Sequence, residues 1–180
     1  MEIRTERLLL RELREDDWAA LLAYHLDPLY RRFYDQSHDT EEGERAFLRP
    51  FLDWQREEPR RMVNLAITLA ATGELIGIAG VRQRQPDQPR GDIGYELAPW
   101  HWGRGYATEA ARAMLAFGFE ALGLHKVHAR CLAVNAASAR VLERLGMRLE
   151  VRLREHEWIR GEPHDELLYG ILADEWRSRP

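Results

Sequence analysis

Residues 94–110 carry the residue types and the spacing that could do chemistry, and they read Gly-Tyr-Glu-Leu-Ala-Pro-Trp-His-Trp-Gly-Arg-Gly-Tyr-Ala-Thr-Glu-Ala. A predicted strand ends at Pro99, two glycines follow one residue apart, and a helix of small residues begins at once. The first amide N–H groups of such a helix have no partner within it, and together with the helix dipole they suit a phosphate or diphosphate. Arg104 adds a charged donor to this predicted anion site.

Two other kinds of phosphate loop need a different spacing. A nucleoside-triphosphate loop requires Gly-x-x-x-x-Gly-Lys-Ser/Thr, and the chain contains no such run. A dinucleotide-binding turn requires a third glycine where this chain has Thr108, and an acidic residue after the next strand, where it has Asn135. A tight strand-to-helix turn that binds no ligand stays open as an alternative.

The elements that must position this turn are predicted from hydrophobic periodicity and from turn residues. The predicted strands cover residues 3–13, 62–71, 75–81, 92–98, 126–134, 147–158 and 164–172. The predicted helices run from Trp18 to the Asp27-Pro28 pair, over 40–57 with a kink or a break at Pro50, from 107 to about 123, and from an Asn135 cap to 145. Hairpins joined with inserted helices indicate a mixed sheet covered by helices.

The composition favours one globular domain over residues 1–180. Hydrophobic residues make up 45% and charged residues 31%, which excludes a disordered or low-complexity chain. A net charge of −4, evenly spread, argues against nucleic-acid binding through bulk charge. No apolar run approaches the roughly 18 residues of a membrane span, and the charged N-terminus is unlike a secretory signal, so we expect a cytoplasmic protein without a membrane partner.

The chain offers one weak signal for a metal site. His125, His128 and Cys131 are spaced by three, an interval that places successive side chains of a strand on alternating faces. No further ligand cluster lies near them in the sequence. We therefore expect no metal.

Residues 102–110 resemble the acetyl-CoA loop of the GNAT N-acetyltransferases, whose pattern is Gln/Arg-x-x-Gly-x-Gly/Ala. Trp102 stands where that family usually has Gln or Arg. Residues 5–11, 94–97 and 135–147 are similar to the RimJ/RimL-type branch, which acetylates the N-termini of ribosomal proteins and other amines. The resemblance extends over nearly the whole chain.

This resemblance implies a fold and a cosubstrate. The fold is α/β (α+β), a single GNAT domain with a mixed, mostly antiparallel twisted sheet of about seven strands, flanked by helices and splayed between strands four and five. The cosubstrate is acetyl-CoA, with its pantetheine arm against the backbone of Leu97 and Ala98 and further contacts from Asn135 and Ser138. The residues expected at the diphosphate are Gly103, Arg104, Gly105, Tyr106, Ala107 and Thr108.

Acetyl transfer needs a neutral amine, a site for the oxyanion and a proton for the leaving thiolate. Glu96 is the candidate base or water relay because it lies one residue before the proposed thioester-binding backbone, although a solvated strand carboxylate is an equally good interpretation. Amide groups near Leu97 or Ala98 are the oxyanion donors that the resemblance suggests. By the same resemblance Ser138 protonates the thiolate, unless its hydroxyl only returns to the Asn135 cap.

The sequence therefore predicts an acetyl-CoA-dependent N-acetyltransferase in which a primary amine, on a protein N-terminus or a small molecule, attacks the thioester directly. Well-held reactants make a covalent enzyme intermediate unnecessary. Two alternatives remain: a non-catalytic acyl-CoA-binding sensor or interaction module, and an acetyltransferase that modifies antibiotics or polyamines. A monomer or a homodimer is expected.

Overall fold

The computed structural model describes residues 1–34 and 39–178, and in that part of the chain it contains one eight-stranded sheet. The strands are β1 (Glu2–Arg4), β2 (Leu8–Glu12), β3 (Met62–Leu69), β4 (Leu75–Arg82), β5 (Arg90–Leu97), β6 (Lys126–Leu132), β7 (Arg148–Ile159) and β8 (Glu162–Leu172). Their spatial order is β1-β2-β3-β4-β5-β6-β8-β7. Every neighbouring pair is antiparallel except β5 with β6, so the prediction of a mixed, mostly antiparallel sheet is confirmed.

Five α-helices cover the two faces of this sheet in the described residues. They are α1 (Trp18–His25), α2 (Glu41–Trp54), α3 (Tyr106–Glu120), α4 (Ala136–Arg144) and α5 (Ala173–Arg177). The last of them was not predicted. None of these helices is long and apolar enough to span a bilayer.

The prediction of about seven strands was one too few, because the first predicted strand is a hairpin of β1 and β2. Thr5 causes the break: its amide donates to the Leu8 carbonyl, and its hydroxyl contacts the same residue. The three leucines then follow as β2, with Leu8 and Leu10 buried on one face.

Pro50 does not split α2, contrary to one of the two outcomes expected for it. A proline removes one intrahelical hydrogen bond, which here would have used the carbonyl of Ala46. Both residues lie on the exposed side of the helix, where water can satisfy that carbonyl. The helix begins as predicted, with the Thr40 hydroxyl accepting from the Gly43 amide at 3.1 Å.

The expected splay lies between β5 and β6, the fourth and fifth predicted strands. The two strands pair in parallel over only three positions, from Arg90 opposite Lys126 to Asp92 opposite His128. Beyond them, both strands continue without pairing to each other. A cleft therefore opens beside the last residues of β5.

Two apolar clusters fill the two sides of the sheet. The larger packs α3 against the sheet through residues such as Met114 and Leu115. The smaller packs α1 and α2 against the other face, which contributes Ala66 and Ile78. Neighbouring residues around Ala66 and Ile78 alternate between the two clusters, so Asn64 and Gly80, each two residues from one of them, lie on the face of α1 and α2.

Candidate active site

The turn before α3 has the backbone that its two glycines predict. Gly103 and Gly105 have φ angles of 76° and 82°, in the left-handed region that favours glycine. Gly105 is the residue immediately before the helix. Both glycines therefore aim backbone amides, not side chains, into the space in front of the helix.

Those amides are available to a ligand. None of the N–H groups of residues 103–108 donates to an acceptor in the part of the chain that the structure describes. Thr108 adds a buried hydroxyl oxygen that has no partner among the same residues and faces the adjacent cavity. Unpartnered donors at the positive end of a helix dipole are of the kind that binds a diphosphate.

A carboxylate that was not predicted joins this turn to the N-terminal hairpin. Glu109 accepts from the Thr5 hydroxyl at 2.6 Å, the Arg7 amide at 2.8 Å and the Arg7 guanidinium at 2.6 Å. Arg7 also donates to the carbonyl of Arg104 at 2.9 Å. These bonds hold the turn on the side away from the cavity. Burial would raise the pKa of Glu109, but the hydrogen bonds from Thr5 and Arg7 outweigh burial and lower it. The corresponding sequence signal is the run Thr5-Glu6-Arg7, but the sequence alone does not show that this run lies beside the turn.

A cavity of about 300 Å³ lies in front of the turn and brings together most of the predicted site. The predicted residues that line it are Glu96, Leu97, Gly103, Gly105, Tyr106, Ala107, Thr108, Asn135 and Ser138. Arg104 and Ala98 are not among its lining residues, and the Arg104 side chain is exposed. Arg140 and Arg144 line it without having been predicted, although their spacing of four places them on one side of α4.

The backbone of Leu97 points into the cleft, whereas that of Ala98 does not. The Ala98 amide donates to the Ile76 carbonyl at 2.8 Å, so it cannot serve as an oxyanion donor and that part of the prediction was wrong. Antiparallel alternation then directs the Leu97 amide and carbonyl away from β4, toward the splay. The Leu97 carbonyl already accepts from the Trp102 indole N–H at 2.8 Å, which leaves its second lone pair and the Leu97 amide for a pantetheine arm.

Glu96 lies on the opposite face of β5 from Tyr95, at the centre of a buried hydrogen-bond network. Its Oε1 accepts from the Tyr24 hydroxyl at 2.7 Å and from His25 Nε2 at 2.8 Å, and its Oε2 accepts from the Tyr30 hydroxyl at 2.7 Å. His25 Nδ1 lies 2.9 Å from a carboxylate oxygen of Glu44. The interpretation of Glu96 as a solvated strand carboxylate is wrong, because its side chain is only 10% exposed.

This network sets the charges. Burial of His25 would lower its pKa, but the hydrogen bonds with Glu44 and Glu96 outweigh burial and raise it to about 9. Burial likewise opposes ionisation of Glu96, and the bonds from His25, Tyr30 and Tyr24 nevertheless lower the pKa of that carboxyl. At neutral pH His25 is therefore an imidazolium, and Glu96 is ionised at the edge of the cleft.

Ser138 lies across the splay from Glu96. Its Oγ is 3.0 Å from the Tyr95 hydroxyl, and its amide donates to the Asn135 side chain at 3.1 Å, so Asn135 caps α4 as predicted. The Ser138 hydroxyl bonds Tyr95 instead of returning to the cap. Burial raises the pKa of Tyr95 above its usual range, so the phenol keeps its proton and forms a donor pair with the serine.

A second cavity, of about 1050 Å³, meets the first at these residues. Both are lined by Glu96, Tyr95 and Ser138, and also by Phe33 and Tyr34, which the sequence did not single out. From this junction the larger cavity extends past α2 and over the surface of β5, β6 and β8. The site thus has two entrances that converge on one carboxylate and one hydroxyl pair.

His125, His128 and Cys131 do not come together as a ligand set in the described residues. The group that does is His156, Glu157 and Glu166, with ligand atoms within 4.8 Å of one another. Glu166 is already paired there, with a guanidinium nitrogen of Arg130 at 3.4 Å.

The comparisons with known proteins agree with this geometry. The model of the acetyltransferase (GNAT) domain matches residues 7–148. The uncharacterized N-acetyltransferase YoaA of Bacillus subtilis is 31% identical over 171 residues, which cover 94% of this chain and 96% of YoaA. A GNAT-family acetyltransferase structure from Bacillus anthracis is 31% identical, covers 97% of this chain and 100% of its own, and superposes with a TM-score of 0.82.

RimL, a ribosomal-protein α-N-acetyltransferase solved in complex with coenzyme A, shares the fold, with a TM-score of 0.86 at 20% identity. That alignment covers 97% of this chain and 99% of RimL. With a family model over most of its length and relatives aligned from end to end, the chain belongs to the GNAT acetyltransferase family and is an acyltransferase.

Proposed function

We propose that this protein transfers an acetyl group from acetyl-CoA to a primary amine by direct attack of the amine on the thioester, as enzymes of RimJ/RimL type do. The observation that carries the proposal is the junction of the two cavities at Glu96 and Ser138. One cavity leads from there to the unpartnered amides of the turn, and the other leads out to solvent. The larger cavity gives an acceptor its own route to the reacting atoms.

The diphosphate is assigned to the amides of residues 103–108 and to the Thr108 hydroxyl, with Arg140 and Arg144 as nearby cations. When bound, acetyl-CoA supplies the thioester carbonyl carbon that the amine attacks. The Leu97 amide, which points into the cleft, is the donor assigned to the oxygen of that carbonyl.

Glu96 is assigned to the incoming amine. Because its pKa is lowered, it is a carboxylate that attracts an ammonium group but is a weak base for direct proton removal. A water molecule held beside this carboxylate, which passes the proton of the amine on to solvent, therefore fits this site better than transfer to Glu96 itself. An α-amine, with a reference pKa near 8, needs less help than a lysine, whose reference pKa is about 10.4.

Ser138 and Tyr95 are assigned to the leaving sulfur. Their hydroxyl groups lie 3.0 Å apart and both line the cofactor cavity, so either can donate a proton to a thiolate there. The sequence assigned protonation of the thiolate to Ser138 alone, and Tyr95 is added here as a second proton donor.

Release of free thiol from acetyl-CoA tests the proposal. The protein is incubated with acetyl-CoA and with protein N-terminal peptides, polyamines and aminoglycosides in turn, and products are identified by mass spectrometry. Acetylation of an amine supports the proposal, and the acceptor class separates a RimJ/RimL-type enzyme from a drug- or polyamine-modifying one. Tight cofactor binding without acetylation of any amine would favour a sensor module.

The substitution Glu96→Gln should lower kcat by about 100-fold while the Kd for acetyl-CoA stays within a few-fold of wild type. The loss should shrink as the pH approaches the pKa of the amine, because the acceptor is then already neutral. Steady-state kinetics across pH, with calorimetric Kd values, measure both. Glu41→Gln, at an exposed carboxylate on α2, is the control. A loss that is the same at every pH would remove Glu96 from proton transfer.

A further inference from the structure

Asn64 on β3 is a buried polar side chain that the proposed reaction has not used. It is 3% exposed, and its Oδ1 has no hydrogen-bond partner among the residues that the structure describes. The side chain lines the larger cavity. A buried carbonyl oxygen without a partner costs free energy, so the free protein is less stable than it would be with an apolar group of the same shape.

The strand register places this carboxamide on the face of Glu96. Asn64 pairs with Gly80, and Gly80 pairs with Gly94, which lies two residues before Glu96 on β5. A Cβ atom built on Gly80 would overlap Oδ1 of Asn64, so the carboxamide lies over Gly80 and leans toward β5. One strand spacing and two residues then separate Oδ1 from the Glu96 carboxylate, a distance of roughly 8 Å.

Two cations that line the same cavity are already paired with carboxylates. Arg82 binds the Asp92 carboxylate through Nε at 2.6 Å, and Lys126 binds Glu150 at 2.7 Å. A charged group on the amine substrate would therefore gain little binding free energy from these ion pairs. The Asn64 carboxamide differs because the residue lines the cavity and its buried oxygen has no hydrogen-bond partner among the described residues.

We propose that Asn64 Oδ1 determines acceptor specificity by accepting a hydrogen bond from a hydroxyl or an amide N–H about three to five covalent bonds from the reacting amine. This inference rests on the proposed function, because it takes the amine to lie at Glu96. A site that leaves a buried acceptor unpaired discriminates against substrates that lack the donor. The preference expected for the donor is about 10- to 100-fold in kcat/KM.

Two matched pairs of amines test the proposal. Aminopropanol is compared with its methyl ether, in which a methyl group replaces the hydroxyl hydrogen. Alanine methylamide is compared with alanine methyl ester, which has the same number of heavy atoms and lacks only the N–H donor. Wild type should prefer the donor in at least one pair, and that pair identifies a hydroxyl or an amide as the source. Equal kcat/KM values within both pairs would overturn the proposal.

The variant Asn64→Leu keeps the branching of the side chain and removes its polar atoms. Its preference within the matched pair should fall to about onefold, with the Kd for acetyl-CoA unchanged, and its Tm without ligands should be higher than that of wild type. Thr68→Val, four residues along β3, is the control, because the buried Thr68 hydroxyl is already bonded to the Leu9 carbonyl at 2.7 Å. That variant should keep the preference and lose Tm.

The outcomes separate the two proposals. If wild type acetylates no amine at all, the proposed function fails and the role of Asn64 fails with it. If wild type acetylates amines but Asn64→Leu keeps the preference, or loses Tm as Thr68→Val does, then only the specificity role is overturned and the carboxamide is structural.

Discussion

Replacing Gly105 by valine is expected to weaken acetyl-CoA binding by about 100-fold. At a φ of 82° a branched side chain strains the backbone, and it also stands where the diphosphate approaches the amides of the turn. Its Cβ would lie 3.3 Å from the guanidinium of Arg7, the group that orders the turn from behind. Isothermal titration with acetyl-CoA measures the effect.

Gly73→Val is the matched control for this substitution. Gly73 has a φ of 75° in the β3–β4 turn, and nothing lies within 4 Å of the position of its Cβ. The two variants therefore share the backbone strain and differ in the presence of the proposed diphosphate. Equal Kd values for both variants would show that the turn does not bind the cofactor.

Replacing His25 by leucine is expected to lower the free energy of unfolding by about 3–5 kcal/mol. The imidazolium lies between Glu44 and Glu96, at 2.9 and 2.8 Å, and its removal leaves two carboxylates in a buried site without a cation. Urea unfolding measures the loss. His156→Leu, at an exposed side chain, is the control. A loss as small as in that control would mean that His25 does not bind the carboxylates as an ion.

The same histidine gives wild type a pH dependence whose sign follows from its raised pKa. A group whose folded pKa of about 9 exceeds the 6.5 of the free side chain contributes its full stability below about pH 6.5, and this contribution is lost as the pH rises through about 9. Wild-type unfolding free energy should therefore fall over that window, and His25→Leu lacks this step. A flat wild-type profile would contradict the assignment of the charge.

The unpartnered amides of the turn before α3 could be predicted because their cause is local. The positions of Gly103 and Gly105 and the start of a helix after them are enough to expose a row of amides, whatever packs around them. The cap at Asn135 is local in the same way. Family resemblance added the cosubstrate and the splay, which no local pattern contains.

The surroundings of Glu96 could not be predicted, because Tyr24 and His25 lie 72 and 71 residues away in the sequence. Alternation along β5 assigned the face that Glu96 shares with Gly94, but only the packing of α1 fixed what that face meets. The lack of a partner for Asn64 Oδ1 is harder to predict, because it depends on the positions of all the donors around that atom in the folded chain. The split of the first predicted strand, by contrast, depended on Thr5, a local turn residue that the three leucines after it obscured.

Glu109 couples the stability of the N-terminal hairpin to the stability of the turn before α3. Since Thr5 and Arg7 bind one carboxylate in the first turn of α3, a nucleotide that steadies the turn is expected to slow hydrogen exchange in the hairpin of β1 and β2. Reciprocity then requires that loosening the hairpin reduces nucleotide affinity by the same factor.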